Sequence, residues 1–158
     1  MFTRIVIPLD GSETAEGALP EATELARTLH VPLCLLRVVD LGKLESYGAF
    51  GLGLEYSALD LAIQDERATA RDYLEKAQQR LTADGLHVIT EIREGLATNE
   101  IVSAAEPDDL LVMASHGRSG LSRWFLGSVA ESVMRKANVP VMLVRVGDRD
   151  RDGGLVEA

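Results

Sequence analysis

The sequence predicts an α/β protein built on a parallel β-sheet with helices on both faces. Short apolar runs rich in branched side chains, among them Ile5-Val6-Ile7-Pro8-Leu9, Leu35-Leu36-Arg37-Val38-Val39 and Leu110-Leu111-Val112-Met113, leave little room for a solvated face and read as buried strands. Between them, apolar residues recur at the period of a helix packed on one side. Strands alternating with helices assemble into a parallel sheet through right-handed crossovers. At 158 residues, 46% hydrophobic and 26% charged, the chain has the size and composition of one globular domain. That domain is expected over residues 1–146, with a polar, glycine-containing tail frayed over 147–158.

The first strand is expected over residues 4–9. Ser12 can cap the helix that follows, where Ala15, Ala18, Leu19, Ala22, Leu25, Ala26 and Leu29 form one apolar stripe. Pro32 ends that helix, and a second strand follows over 33–39. A long helix is expected over 57–81, burying Leu61, Ala62, Tyr73, Leu74, Ala77 and Leu81, with Asp72 and Lys76 as a surface pair. Asp84-Gly85 turns into a third strand over 87–93, whose His87, Glu91 and Arg93 suit a sheet edge. A short helix over 99–105, a fourth strand, a helix over 128–137 and a fifth strand complete the order. Residues 41–56 are long for a connection and rich in glycine. They leave the carboxyl end of strand two, where open α/β sheets bind ligands, and suit a lid, a partner contact or a disordered loop equally.

The net charge of −9 argues against nucleic acid, whose partners carry a basic face. A small nucleotide remains compatible, because a helix N-terminus and one or two arginines set the local field. Cys34, the one cysteine, lies in an apolar run and reads as a small buried hydrophobe. No run approaches the ~18 apolar residues of a membrane span, and the N-terminus lacks the layout of a secretion signal. A cytoplasmic protein that engages no membrane is expected.

The richest stretch is Ala114-Ser115-His116-Gly117, followed after nine residues by Gly127-Ser128-Val129. It reads as a strand, a flexible loop and a helix start, with Ser128 and Glu131 matching a capping box. α/β proteins hold phosphate in this way: glycines admit the anion and free N–H groups at the helix start point at it. Ser128 has a competing use in capping its own helix. Arg118 and Arg123 serve equally as phosphate contacts or as solvated surface cations. Trp124 and Phe125 read as packing residues. Asp10 reads either as a nucleotide contact or as the Asp of an Asp-Gly turn.

The spacing of Ala114, Gly117, Gly127 and Ser128 resembles the ATP-binding branch of the universal stress protein family. So do Ile5-Val6-Ile7-Pro8-Leu9-Asp10-Gly11-Ser12, Leu35-Leu36-Arg37-Val38-Val39-Asp40 and Pro140-Val141-Met142-Leu143-Val144. The resemblance implies a five-stranded sheet of order 3-2-1-4-5 of the adenine nucleotide alpha hydrolase type. It implies that Ala114, Ser115, His116, Gly117, Arg118, Gly127, Ser128 and Val129 surround the phosphates, with His116 acting through its backbone. Asp10 would then bind the ribose or help hold Mg²⁺ through water, with Pro8 and Val38 against the adenine. ATP, ADP or AMP is the implied ligand, with any Mg²⁺ held mainly by its phosphates.

The resemblance also implies a homodimer through strand five, Val139-Pro140-Val141-Met142-Leu143-Val144-Arg145-Val146, an apolar strand expected at a sheet edge. The function implied is a cytoplasmic regulatory switch in a stress response, passing its nucleotide state to a protein partner. Ala114 stands where the motif has its first glycine, which keeps a second reading open: a scaffold acting through dimer and partner contacts without nucleotide. A weak ATPase is a third, although the phosphate-loop lysine and any residue placed to orient water are missing.

Overall fold

Alternation along the strands divides the core into two layers. The computed structural model of the chain describes residues 1–44, 56–116 and 127–146. Five strands, β1 (Arg4–Pro8), β2 (Leu33–Asp40), β3 (Val88–Gly95), β4 (Asp109–His116) and β5 (Val141–Val146), form a parallel sheet of order β3-β2-β1-β4-β5. The helices bounded among the described residues are α1 (Glu13–Glu16), α2 (Leu19–Leu29), α3 (Tyr56–Ala83), α4 (Ala97–Ala104) and α5 (Ser128–Lys136), and residues 41–44 after β2 are helical as well. Successive strand residues point to opposite faces. Ile5, Ile7, Leu33, Leu35, Leu110 and Val112 therefore pack under α2 and α3. Their neighbours Val6, Cys34, Leu36, Leu111 and Met113 pack under α4 and α5. The expected strand order and two-sided covering are both present, with the charged β3 at one edge.

Several local expectations are corrected. The stripe from Ala15 to Leu29 belongs to two helices rather than one. Ser12 caps α1 as expected, accepting the Ala15 N–H at 3.1 Å, but the chain breaks at Gly17-Ala18. Pro20 in the first turn of α2 explains the break, since its ring would strike the carbonyl four residues back in a continuous helix. The stop for α2 is His30, in the left-handed conformation at φ 57°, two residues before Pro32. Leu61 is 66% exposed rather than buried. α3 has 28 residues, about 42 Å of helix, whereas an eight-residue strand spans only about 26 Å, so its first half overhangs the sheet. Its buried stripe runs through Ala70, Leu74, Ala77 and Leu81.

The start of the sheet is fixed by an ion pair. Register places Arg4 of β1 beside Asp109 of β4. Arg4 Nε donates to both carboxylate oxygens at 3.2 and 3.1 Å, and Nη2 donates to Oδ2 and to the Ala104 carbonyl. Asp109 is 1% exposed and also accepts the Glu106 N–H at 2.8 Å. Hydrogen bonding to Asp109 outweighs desolvation and raises the Arg4 pKa further. Cys34 is fully buried in β2, and burial pushes its thiol up to about 11, in keeping with a packing role. No helix among the described residues is long and apolar enough to cross a membrane.

Candidate functional site

The strand order reverses between β1 and β4, which pair directly. In open α/β sheets the loops diverge at that point and leave a crevice beyond the carboxyl ends of the strands. Here the crevice is a cavity of about 450 Å³. One wall is apolar, formed by Pro8, Leu36, Val38, Ile101, Met113 and Val129. The opposite rim is charged, with Asp10, Arg37, Asp40, Lys43 and Glu66.

Seven of the residues expected at the site line this cavity: Pro8, Asp10, Val38, Ala114, Gly127, Ser128 and Val129. Ala114, Ser115 and His116 are not the start of a loop, as expected, but the last residues of β4, in register with Val144, Arg145 and Val146. The pairing with β5 carries the strand past its apolar run. Ser115 is buried and donates to the Val144 carbonyl at 3.3 Å, so it ties β4 to β5 rather than lining the cavity. Gly117, Arg118, Arg123, Trp124 and Phe125 lie outside the described residues, as do most of 41–56 and all of 147–158.

Ala114 occupies an ordinary strand conformation; His30 is the one non-glycine residue of positive φ among those described. Alanine therefore meets no backbone demand that only glycine could satisfy.

The start of α5 also differs from expectation. Its N-cap is Gly127, at φ −58° and ψ 149°, and no side chain among the described residues caps the helix. Ser128 is the first helical residue, past the position where its hydroxyl could close a capping box. Glu131 instead ion-pairs with Arg135 at 2.8 Å, while its N–H bonds to the Gly127 carbonyl. The N–H groups of Ser128, Val129 and Ala130 precede the first intrahelical bond, and all three residues line the cavity. A Cβ built on Gly127 would meet nothing within 4 Å among the described residues.

Asp10 ends the turn after β1. Its Oδ1 accepts both the Ser12 N–H, at 2.9 Å, and the Ser12 hydroxyl, at 2.6 Å. Oδ2 receives no bond among the described residues. Burial raises the Asp10 pKa, but the two Ser12 bonds with Arg37 and Lys43 outweigh it and hold the carboxyl below the usual aspartate range. The turn and the nucleotide readings of Asp10 are thus compatible, one oxygen being committed and the other available.

The sequence pattern of the universal stress protein family matches residues 1–145. This chain belongs to the universal stress protein family. Universal stress protein MJ0531 of Methanocaldococcus jannaschii is 33% identical over 92% of this chain and 83% of its own length. The solved structure of MJ0577 is 31% identical, with a TM-score of 0.74 over 94% of this chain and 99% of that one. Universal stress protein UspA from Lactobacillus plantarum is 28% identical, with a TM-score of 0.73 over 91% and 98%. Two more distant structures share the fold. A universal stress protein in complex with cAMP is 23% identical (TM-score 0.58, 91% of this chain and 97% of that one). One from Archaeoglobus fulgidus in complex with dAMP is 21% identical (TM-score 0.55, 90% and 97%).

Arg37, Asp40, Lys43 and Glu66 were not singled out from sequence. Arg37 sits inside an apolar run, and Glu66 lies on a helix whose first half shows no buried stripe. Only the three-dimensional meeting of β2 with α3 reveals them.

Proposed function

We propose that this protein binds an adenine nucleotide, ATP with Mg²⁺, in the switch-point cavity and acts as a regulatory switch. The observation that carries this reading is the uncapped start of α5. Backbone N–H groups at a helix N-terminus, with the helix dipole behind them, suit a phosphate. The residues that carry them line a cavity that is also lined by the apolar Pro8, Leu36, Val38, Ile101 and Met113, the surroundings a purine requires. The cAMP and dAMP complexes of two proteins of this fold add support for an adenine ligand. No group of three or more His, Cys, Asp or Glu side chains among the described residues is placed to hold a metal, so Mg²⁺ would ride on the nucleotide's own phosphates.

Binding orders whatever part of the chain closes over the ligand, and that differential affinity is the signal a partner can read. Titrating the full chain with ATP, ADP, AMP and GTP, with and without Mg²⁺, tests the reading. Adenine nucleotides are expected to bind in preference to GTP, and binding by none of the four refutes it.

We further propose a homodimer through β5. This strand bonds to β4 on one side and lies at the edge of the sheet, with Val141, Met142 and Leu143 only half-buried. An apolar edge of this kind invites pairing with a second copy. Sedimentation equilibrium is expected to return twice the mass of the chain; a monomer at micromolar concentration overturns the dimer.

A further inference from the structure

The charged rim contains one side chain whose placement is out of proportion to its bonding. Arg37 is 16% exposed, yet among the described residues its guanidinium has two long partners. Nη1 donates to the Leu9 carbonyl at 3.4 Å, and Nη2 stands 4.0 Å from Glu66 Oε2. A largely buried cation is costly unless it is well compensated, so a guanidinium so loosely held calls for a reason to be there.

Geometry supplies one. The turn that Arg37 touches is Leu9-Asp10-Gly11. Gly11 is left-handed at φ 84°, and a Cβ built on it would stand 3.7 Å from Arg37 Nη1, so the guanidinium lies against the back of the turn. In the same turn, Asp10 spends Oδ1 on Ser12, while Oδ2 receives no bond among the described residues. From α3, Glu66 faces the other end of the guanidinium at 4.0 Å, a long contact between the helix and the residue that touches the turn. Without Arg37, the three rim carboxylates Asp10, Asp40 and Glu66 would face Lys43 alone among the rim cations of the described residues.

We propose that Arg37 is a positioning residue for sugar recognition: lying against the Leu9-Asp10-Gly11 turn, with the Glu66 carboxylate facing its other end, it holds the turn so that the Asp10 carboxylate meets a ribose hydroxyl. The inference rests on the nucleotide reading and deepens it, since it assigns selectivity for the sugar to a rim residue that acts through Asp10. The ligand class that benefits is a ribonucleotide with free 2′ and 3′ hydroxyls. A sugar lacking them gains nothing from an ordered Asp10.

The test is a calorimetric titration of the full chain with ATP and with 2′,3′-dideoxy-ATP. Wild type, Arg37→Gln, Arg37→Lys, Asp10→Asn and the Arg37→Gln/Asp10→Asn double variant are compared. Arg37→Gln is expected to weaken ATP about tenfold, the scale of a hydrogen bond to a charged group, and to leave dideoxy-ATP nearly unchanged. Arg37→Lys recovers part of the loss, because an ammonium keeps the charge without the planar fork. In the Asp10→Asn background Arg37→Gln costs nothing more, since the two residues act as one unit.

Should Arg37→Gln fail to fold, Glu66→Gln weakens the contact to Arg37 from the half-exposed α3 side, and a smaller but equally sugar-dependent loss is expected. Equal losses for both nucleotides, no loss in any variant, or additive losses in the double variant overturn the positioning role while leaving nucleotide binding in place. A wild-type chain that binds no ATP overturns the nucleotide reading, and this inference with it.

Discussion

Replacing Arg4 by alanine is expected to cost about 3–5 kcal/mol of stability, because it leaves the buried Asp109 carboxylate without its counter-charge. Asp109 is 1% exposed and held through both oxygens, so no water can take over from the guanidinium at small cost. The Glu106 carboxylate, 3.8 Å from Arg4 and mostly exposed, contributes little by comparison. Urea unfolding of Arg4→Ala checks this, and a loss below about 1 kcal/mol contradicts it. The double replacement Arg4→Met/Asp109→Leu recovers much of the loss, since removing both charges also removes their desolvation. Recovery stays incomplete because the Glu106 N–H loses its acceptor, a bond of 2.8 Å.

The second large effect is expected at Gly17. Its backbone, at φ −61° and ψ −15°, suits any residue, so conformation does not explain the glycine. Space does. A Cβ built there would lie 2.5 and 2.7 Å from the two Cγ atoms of Val146 and 3.1 Å from the Thr14 carbonyl oxygen. Gly17→Ala therefore forces apart the α1–α2 corner and the end of β5, at about 1–3 kcal/mol. Val146→Ala on the same chain removes both clashing methyl groups and is expected to restore most of that stability. Thermal melts of the single and double variants check it. A Gly17→Ala protein as stable as wild type would show that the corner and β5 do not pack as described.

These two sites show where sequence was informative and where it was not. Strand and helix identity was legible because period and composition agree: Ile5 to Leu9 and Leu110 to Met113 are apolar on both faces because both faces are covered. The edge position of β3 was legible from Glu91 and Arg93. Helix ends were less so, because they depend on single competing residues. Pro20 splits the first helix inside an unbroken apolar stripe, and His30 stops it ahead of the more conspicuous Pro32.

The site was half legible. Asp10 and Gly127 were expected from the turn and helix-start patterns, Pro8 and Val38 only through the family resemblance, and the structure gathers all four on one cavity. Ser115 was misplaced because the register with Val144 carries β4 further than its apolar run suggests. Ser128 was misassigned because a capping-box pattern is met by residue type alone, whereas the cap itself needs the hydroxyl one residue earlier. Arg37, Asp40, Lys43 and Glu66 could not be found at all, since nothing local distinguishes a rim charge from a surface charge.

The central claim is that the uncapped start of α5 holds the phosphates of an adenine nucleotide, and Gly127 gives the cleanest access to it. Its φ and ψ suit any residue, and among the described residues nothing stands within 4 Å of an added Cβ, so neither the backbone nor a described neighbour calls for glycine there. A side chain at this position would occupy the space in front of the Ser128, Val129 and Ala130 N–H groups. The decisive measurement is a thermal-shift titration of wild type and Gly127→Val with ATP and Mg²⁺.

Without ligand, the two melting temperatures are expected to agree to within about 1 kcal/mol of stability, the scale of an altered N-cap. At 100 Kd of ATP, wild type is expected to gain about 2.7 kcal/mol while Gly127→Val gains nothing. A wild-type protein that ATP does not stabilise, or a Gly127→Val protein stabilised as much as wild type, would contradict a phosphate site at the head of α5.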